Sequence, residues 1–75
     1  MKEAEQSATF NLNTGLDNLE NEKLDIAEQQ FRIAIAAAPH LAKAHRYLGK
    51  VLEKKGDRDG AEHEYQVSRD LESRR

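Results

Sequence analysis

The sequence predicts an all-α fold of two tandem helical hairpins, and three observations carry that reading. First, residues recur at a spacing of 34: Gly15, Asp25, Ala27, Glu28, Phe31, Ala34 and Pro39 are answered by Gly49, Asp59, Ala61, Glu62, Tyr65, Ser68 and Ser73. Second, apolar residues recur at helical spacing in four separate segments. Third, helix-breaking residues, Pro39 and Gly56 among them, fall between segments. A fixed period of this length marks a repeat architecture, whose units pair two helices and stack on their neighbours. Such arrays usually present a surface for binding and rarely an active site.

The first helix is expected from about Ser7 to Asn21, with Phe10, Leu12, Leu16 and Leu19 as its apolar residues. The second covers about Leu24 to Ala38, carried by Ile26, Ala27, Phe31, Ala34 and Ile35. Asp25 with Glu28, and later Asp59 with Glu62, have the D-x-x-E form of a capping box. Pro39 ends the second helix, because its ring clashes with the preceding turn and it donates no hydrogen bond. The third helix spans about Leu41 to Lys55, with Ala44, Tyr47, Leu48, Val51 and Leu52 as its buried stripe. Lys54 and Lys55 suit the negative end of its dipole, and Gly56 suits a left-handed C-cap. The fourth covers about Arg58 to Ser73, with Ala61, Tyr65, Ser68 and Leu71 one or two turns apart, and Gly60 weakening its first turn slightly.

The 75 residues make one small domain, near the size at which a single core only just suffices. A 35% charged composition suits short amphipathic helices with wide solvated faces. There is no cysteine, so disulfides and thiolate metal sites are excluded. The longest apolar run, Ile33 to Ala38, is far too short to cross a bilayer, and the residues from Met1 to Ser7 lack the apolar core of a signal peptide. A cytoplasmic protein without membrane contact is expected. The net charge of −2 hides a split: residues 8 to 41 carry five acidic groups against two basic ones, and residues 42 to 75 carry nine basic against seven acidic. Halves of opposite sign favour head-to-tail self-contact or a partner of matching polarity, and ordinary surface variation gives the same pattern.

The run Pro39-His40-Leu41-Ala42-Lys43-Ala44-His45-Arg46-Tyr47-Leu48-Gly49 resembles the junction between two tetratricopeptide repeats, where a proline ends one unit and an A-x-A-W-x-x-L-G-like stretch opens the next. Leu52, Gly56, Ala61, Tyr65, Ser68 and Leu71 continue that pattern, with His45 where the family often has tryptophan. Gly15, Ala27, Phe31, Ala34 and Pro39 place an earlier copy in phase, so the resemblance covers residues 8–41 and 42–75 and leaves 1–7 as an extension. It implies two hairpins stacked with a right-handed twist and a protein–protein interaction module without catalysis. Small residues at Gly15, Ala27, Gly49 and Ala61 let paired helices approach closely, while Phe31 and Tyr65 are knobs for the adjoining repeat.

The first repeat departs from the family in its first helix, where the packing positions hold Asn11, Thr14 and Asn18. Leu12, Leu16 and Leu19 fall instead at positions that line the concave groove in the family. Either this helix is turned so that the leucines enter the core, or they form an exposed apolar stripe that awaits a partner; the stripe is the expectation. Corresponding positions of the second repeat include Lys43, Arg46 and Lys50, a basic half-groove suited to a peptide or helix with acidic residues. Some family members clamp a partner's terminal carboxylate from the positions of Arg46 and Lys50, but here the leucines leave at most half of such a clamp.

Self-assembly is a second reading. The fourth helix has no cap after it, so a face made by Tyr65, Ser68 and Leu71 would be covered by another copy, in a homo-oligomer formed by stacking or by exchange of a hairpin. A piece of a longer array is a third. Signals for chemistry are weak. His40 and His45 lie on different faces at no zinc-binding spacing, and His63 sits between Glu62 and Glu64 without sharing their face. No nucleophile elbow or phosphate-binding glycine loop occurs, so neither enzyme activity nor a metal or other cofactor is expected. A negative chain with little aromatic interleaving on its basic face does not suggest nucleic-acid binding.

Overall fold

A computed structural model describes residues 2–74 and has four helices: α1 (Lys2–Glu20), α2 (Leu24–Ala37), α3 (Ala42–Lys54) and α4 (Arg58–Ser73). Helix α1 packs on α2, α3 on α4, and the two hairpins meet mainly through α2 and α3. The all-α fold expected from the sequence is observed, with one change of boundary. Helix α1 begins at Lys2 and not near Ser7, so residues 2–7 continue the helix. Glu3 and Glu5 favour the positive end of its dipole, and Ala8 is buried against the core.

The 34-residue echo is visible in the backbone. The α1–α2 turn closes with Lys23 N–H donating to Asn18 O (2.8 Å) and Glu22 N–H to Leu19 O (3.1 Å). The α3–α4 turn closes identically, Asp57 N–H to Leu52 O (2.8 Å) and Gly56 N–H to Glu53 O (3.0 Å). Both are Schellman motifs, which need a left-handed residue at the position held by Glu22 and Gly56. Gly56 has φ +90° and Glu22 φ +60°. The glutamate carries the cost of its Cβ there, so Glu22→Gly is expected to stabilise the fold by up to about 1 kcal/mol. Urea unfolding of the two proteins checks this, with an unchanged or lower midpoint as the contrary result.

The expected capping boxes do not form. The residue that caps α4 is Asp57, whose Oδ1 accepts from Gly60 N–H (2.9 Å), and α2 starts at Lys23 with no side-chain cap. Asp25 and Glu28 have other partners, described below.

The core is built from small residues around a few large ones. Phe31, Leu48 and Val51 are its largest fully buried side chains, and Ala27, Ala34, Ala44 and Ala61 are buried about them. Close approach within each hairpin depends on glycine. A Cβ on Gly15 would lie 2.6 Å from Phe31 Cε1, and one on Gly49 would lie 2.7 Å from Tyr65 Cε1. Phe31 also reaches the second hairpin, where its ring stacks on Tyr47 with centroids 6.0 Å apart.

Candidate functional site

Lys43, Arg46 and Lys50 stand at i, i+3 and i+7 on α3 and share one face with Tyr47. The Tyr47 ring, held from below by Phe31, lies 5.6 Å from both the Arg46 guanidinium carbon and Lys50 Nζ. Two cations therefore flank one half-buried ring, a distance at which the ring quadrupole attracts each of them. Arg46 also reaches Glu72 at 3.7 Å, with both side chains well solvated. Lys43 and Lys50 are exposed, and among the described residues no carboxylate lies within ion-pair distance of either. Of the three basic residues, Arg46 and Lys50 meet at the Tyr47 ring, and Lys43 lies on the same face of the helix.

The leucines are not an exposed stripe. Leu12 is 8% exposed and belongs to the core, while Leu16 and Leu19 are half-buried against it. The reason emerges when each copy is compared with the other. Leu12, Leu19, Phe31, Ile35 and Ala38 answer to Arg46, Glu53, Tyr65, Arg69 and Glu72. The first set lies on the side of the first hairpin that receives the second, where Phe31 and Ala38 are buried. The second set has no hairpin beyond it in this structure, and it pairs polar with polar: Tyr65 Oη donates to Glu53 Oε1 (2.8 Å), and Arg46 meets Glu72. Burial, with the Glu53 bond adding to it, pushes the Tyr65 hydroxyl pKa up to about 12.

Nor do Tyr65, Ser68 and Leu71 make one outward face. Ser68 is 3% exposed inside the second hairpin, the Tyr65 ring lies against Gly49, and Leu71 is half-buried. The outer side of this hairpin carries charge and hydrogen-bonded polar groups.

The opposite end of the stack follows the same logic. Asn11, Thr14 and Asn18 answer to His45, Leu48 and Leu52, which are buried where the second hairpin enters the first. In this structure they are satisfied locally. Asn11 Nδ2 donates to Ser7 O, Thr14 Oγ1 to Phe10 O, and Asn18 Nδ2 both to Thr14 O and to Gln30 Oε1 of α2 (2.8 Å). These residues, poor for a core, occupy an open end.

Charge complementarity between the halves is used within the chain. Lys55 Nζ lies 2.6 Å from Asp25 Oδ1 and 2.7 Å from Glu28 Oε1, and Lys54 Nζ lies 3.2 Å from Glu22 Oε1. The Lys55 hydrogen bond holds the Glu28 carboxyl below the usual carboxylate range, against the opposing effect of burial, with Arg32 adding to it. Asp25, then Glu28, raises the Lys55 pKa in turn. A lowered carboxyl pKa contributes stability that is present above its unfolded value and lost as pH falls through the folded one. The melting temperature is therefore expected to fall from about pH 5 downward. Glu28→Gln should melt lower at neutral pH and lose less between about pH 5 and pH 3. Parallel acid limbs in calorimetry would remove Glu28 from the account.

His45, 9% exposed, ties three elements together. Its Nε2 meets Pro39 O at 2.9 Å, and its Nδ1 meets Glu64 Oε1 at 2.8 Å. A carbonyl only accepts, so Nε2–H donates to Pro39 O. Here the position often held by tryptophan in the resembled family is a hydrogen-bonded brace from α3 to the inter-hairpin turn and α4. Neither this link nor the Lys55 clasp was legible in advance, since their partners lie 19 to 30 residues apart.

His40 and His63 are exposed, and among the described residues no group of three potential metal ligands forms. Among the described residues no helix is long and apolar enough to cross a membrane. The hollows are shallow: one of about 470 Å³ runs along α1 beside Phe10, and one of about 380 Å³ lies between Glu53, Arg58 and Tyr65. In comparisons with known proteins, no family model and no curated protein matches this sequence.

Proposed function

We propose that the chain is a non-catalytic protein-interaction module of the tetratricopeptide kind, which binds an acidic peptide or helix along α3. The observation that carries this reading is the pair Arg46 and Lys50 flanking the Tyr47 ring with Lys43 on the same helix face, Lys43 and Lys50 being exposed and outside any ion pair among the described residues. Lys54 and Lys55, one turn further on, are engaged by carboxylates of the first hairpin. Lys43 and Lys50 are thus the cations of α3 that remain outside ion pairs among the described residues, on a part of the helix where a ligand has access. Carboxylates of the partner would take Lys43 and Lys50 and compete with Glu72 for Arg46, and half-buried Leu16 and Leu19 offer limited apolar contact at the edge.

Fluorescence anisotropy with labelled peptides rich in glutamate tests the proposal. Arg46→Glu/Lys50→Glu should weaken binding at least about tenfold, and added salt should weaken wild-type binding. Equal affinity of wild type and double variant would defeat it.

A further inference from the structure

The first helices of the two hairpins differ most on one side. On α3, Ala44, Leu48 and Val51 are buried and Tyr47 stacks on Phe31 of α2, so that side lies under the first hairpin. The matching residues of α1, 34 positions earlier, are Phe10, Thr14, Asp17 and Asn13. Phe10 is the most exposed large apolar side chain described, at 67%, and Asn13 and Asp17 are exposed beside it.

This side of α1 is acidic as well as aromatic. Glu3, Phe10 and Asp17 stand at i, i+7 and i+14, one stripe with steps of about 10 Å. Glu5 lines the hollow of about 470 Å³ beside Phe10, together with Gln6, Thr9 and Asn13. From Glu3 to Glu20 the helix carries four carboxylates and no basic residue. None of the four is in an ion pair among the described residues, whereas Glu22, Asp25 and Glu28 are held by Lys54 and Lys55.

We infer that this side of α1 docks a basic amphipathic helix of another protein, laid on it as α2 lies on α3. The second hairpin supplies the form of the occupant, because there a helix covers the corresponding side. The stripe supplies its chemistry. An apolar residue set against Phe10, with Lys or Arg about two turns to either side, meets Glu3 and Asp17, and a cation beside the ring meets Glu5.

A second copy of this chain fits less well. Stacked in the same way it brings α4 to α1, and the docking side of α4 carries Arg58 and Arg69 against Asp59, Glu62 and Glu72. Two basic groups among three acidic ones do not complement a stripe of carboxylates. The exposed side of α3 is basic, but its apolar residues are turned into the core and only the half-buried Tyr47 is left to meet Phe10.

Fluorescence anisotropy tests the inference with a labelled helical peptide of about 20 residues, bearing a leucine stripe flanked by arginines, beside the same peptide with glutamates for arginines. The arginine peptide should bind with a dissociation constant on the order of 10–100 µM, as expected for one helix on one helix, and the glutamate peptide should bind elsewhere or not at all. Phe10→Ala should weaken the arginine peptide about tenfold and Glu3→Gln/Asp17→Asn about fivefold, with helical circular dichroism unchanged. Asp59→Asn/Glu62→Gln, which removes two exposed carboxylates of α4, should leave binding as it is. No binding up to about 1 mM, or an equal loss in the α4 variant, would overturn the docking site. Self-association of the protein alone that Phe10→Ala abolishes would overturn it too, and give the face to a second copy.

Discussion

Phe31→Ala is expected to destabilise the protein by about 3–5 kcal/mol, the largest single effect in the chain. The ring is fully buried, fills the space that Gly15 leaves on α1, and stacks on Tyr47 of the second hairpin. Its loss opens a cavity at the junction of both hairpins, where the methyl groups of the surrounding alanines cannot reach in to fill it. A domain of this size has a total stability on the order of 4–11 kcal/mol, so the variant should be largely unfolded in mild denaturant. Tyr65→Ala removes the corresponding side chain of the second copy and should cost less, since Tyr65 is only half-buried. Chemical denaturation of both variants gives the ranking, and equal losses would mean that the two copies are energetically alike.

Gly15→Ala should destabilise by about 1–3 kcal/mol, although helix propensity alone predicts a gain of about 1 kcal/mol. The sign is therefore decisive. A new Cβ would lie 2.6 Å from Phe31 Cε1 and 2.8 Å from Cδ1, distances that force movement, and Phe31 is enclosed on all sides. Gly49→Ala makes the same clash with Tyr65, but that ring has solvent beside it and can swing out at the cost of its hydrogen bond to Glu53. The smaller loss belongs there. Combining Gly15→Ala with Phe31→Leu should recover part of the damage, as residues in contact do not act additively. A Gly15→Ala protein more stable than wild type would show that propensity outweighs packing at this site.

Much of the fold was legible because it depends on local or periodic features. The glycines that face Phe31 and Tyr65 and the buried pair Ala27 and Ala61 recur at the same spacing in both copies, while Pro39 and Gly56 mark helix ends locally. What escaped depends on what covers a residue, which the chain does not announce locally. Leu12 resembles a groove residue until the second hairpin is placed over it. Ser68 resembles a surface residue until α3 is packed on α4. Asn11, Thr14 and Asn18 look like defects in a core until they are seen at an open end, bonded to their own helix and to Gln30. Asp25 and Glu28 have the spacing of a capping box, but a lysine 30 residues from one and 27 from the other occupies them. Differences between the copies therefore mark which sides are covered. The basic residues of α3 are the candidate site because Lys43 and Lys50 remain exposed after that accounting.

The most direct test of that site is a ¹⁵N–¹H NMR titration of the protein with a synthetic glutamate-rich peptide, repeated with Arg46→Glu/Lys50→Glu. Shift changes are expected to concentrate at Lys43, Arg46, Tyr47 and Lys50, to shrink with added salt, and to vanish in the double variant. Changes centred elsewhere, or a titration that the double variant leaves intact, would contradict the assignment of α3 as the binding face.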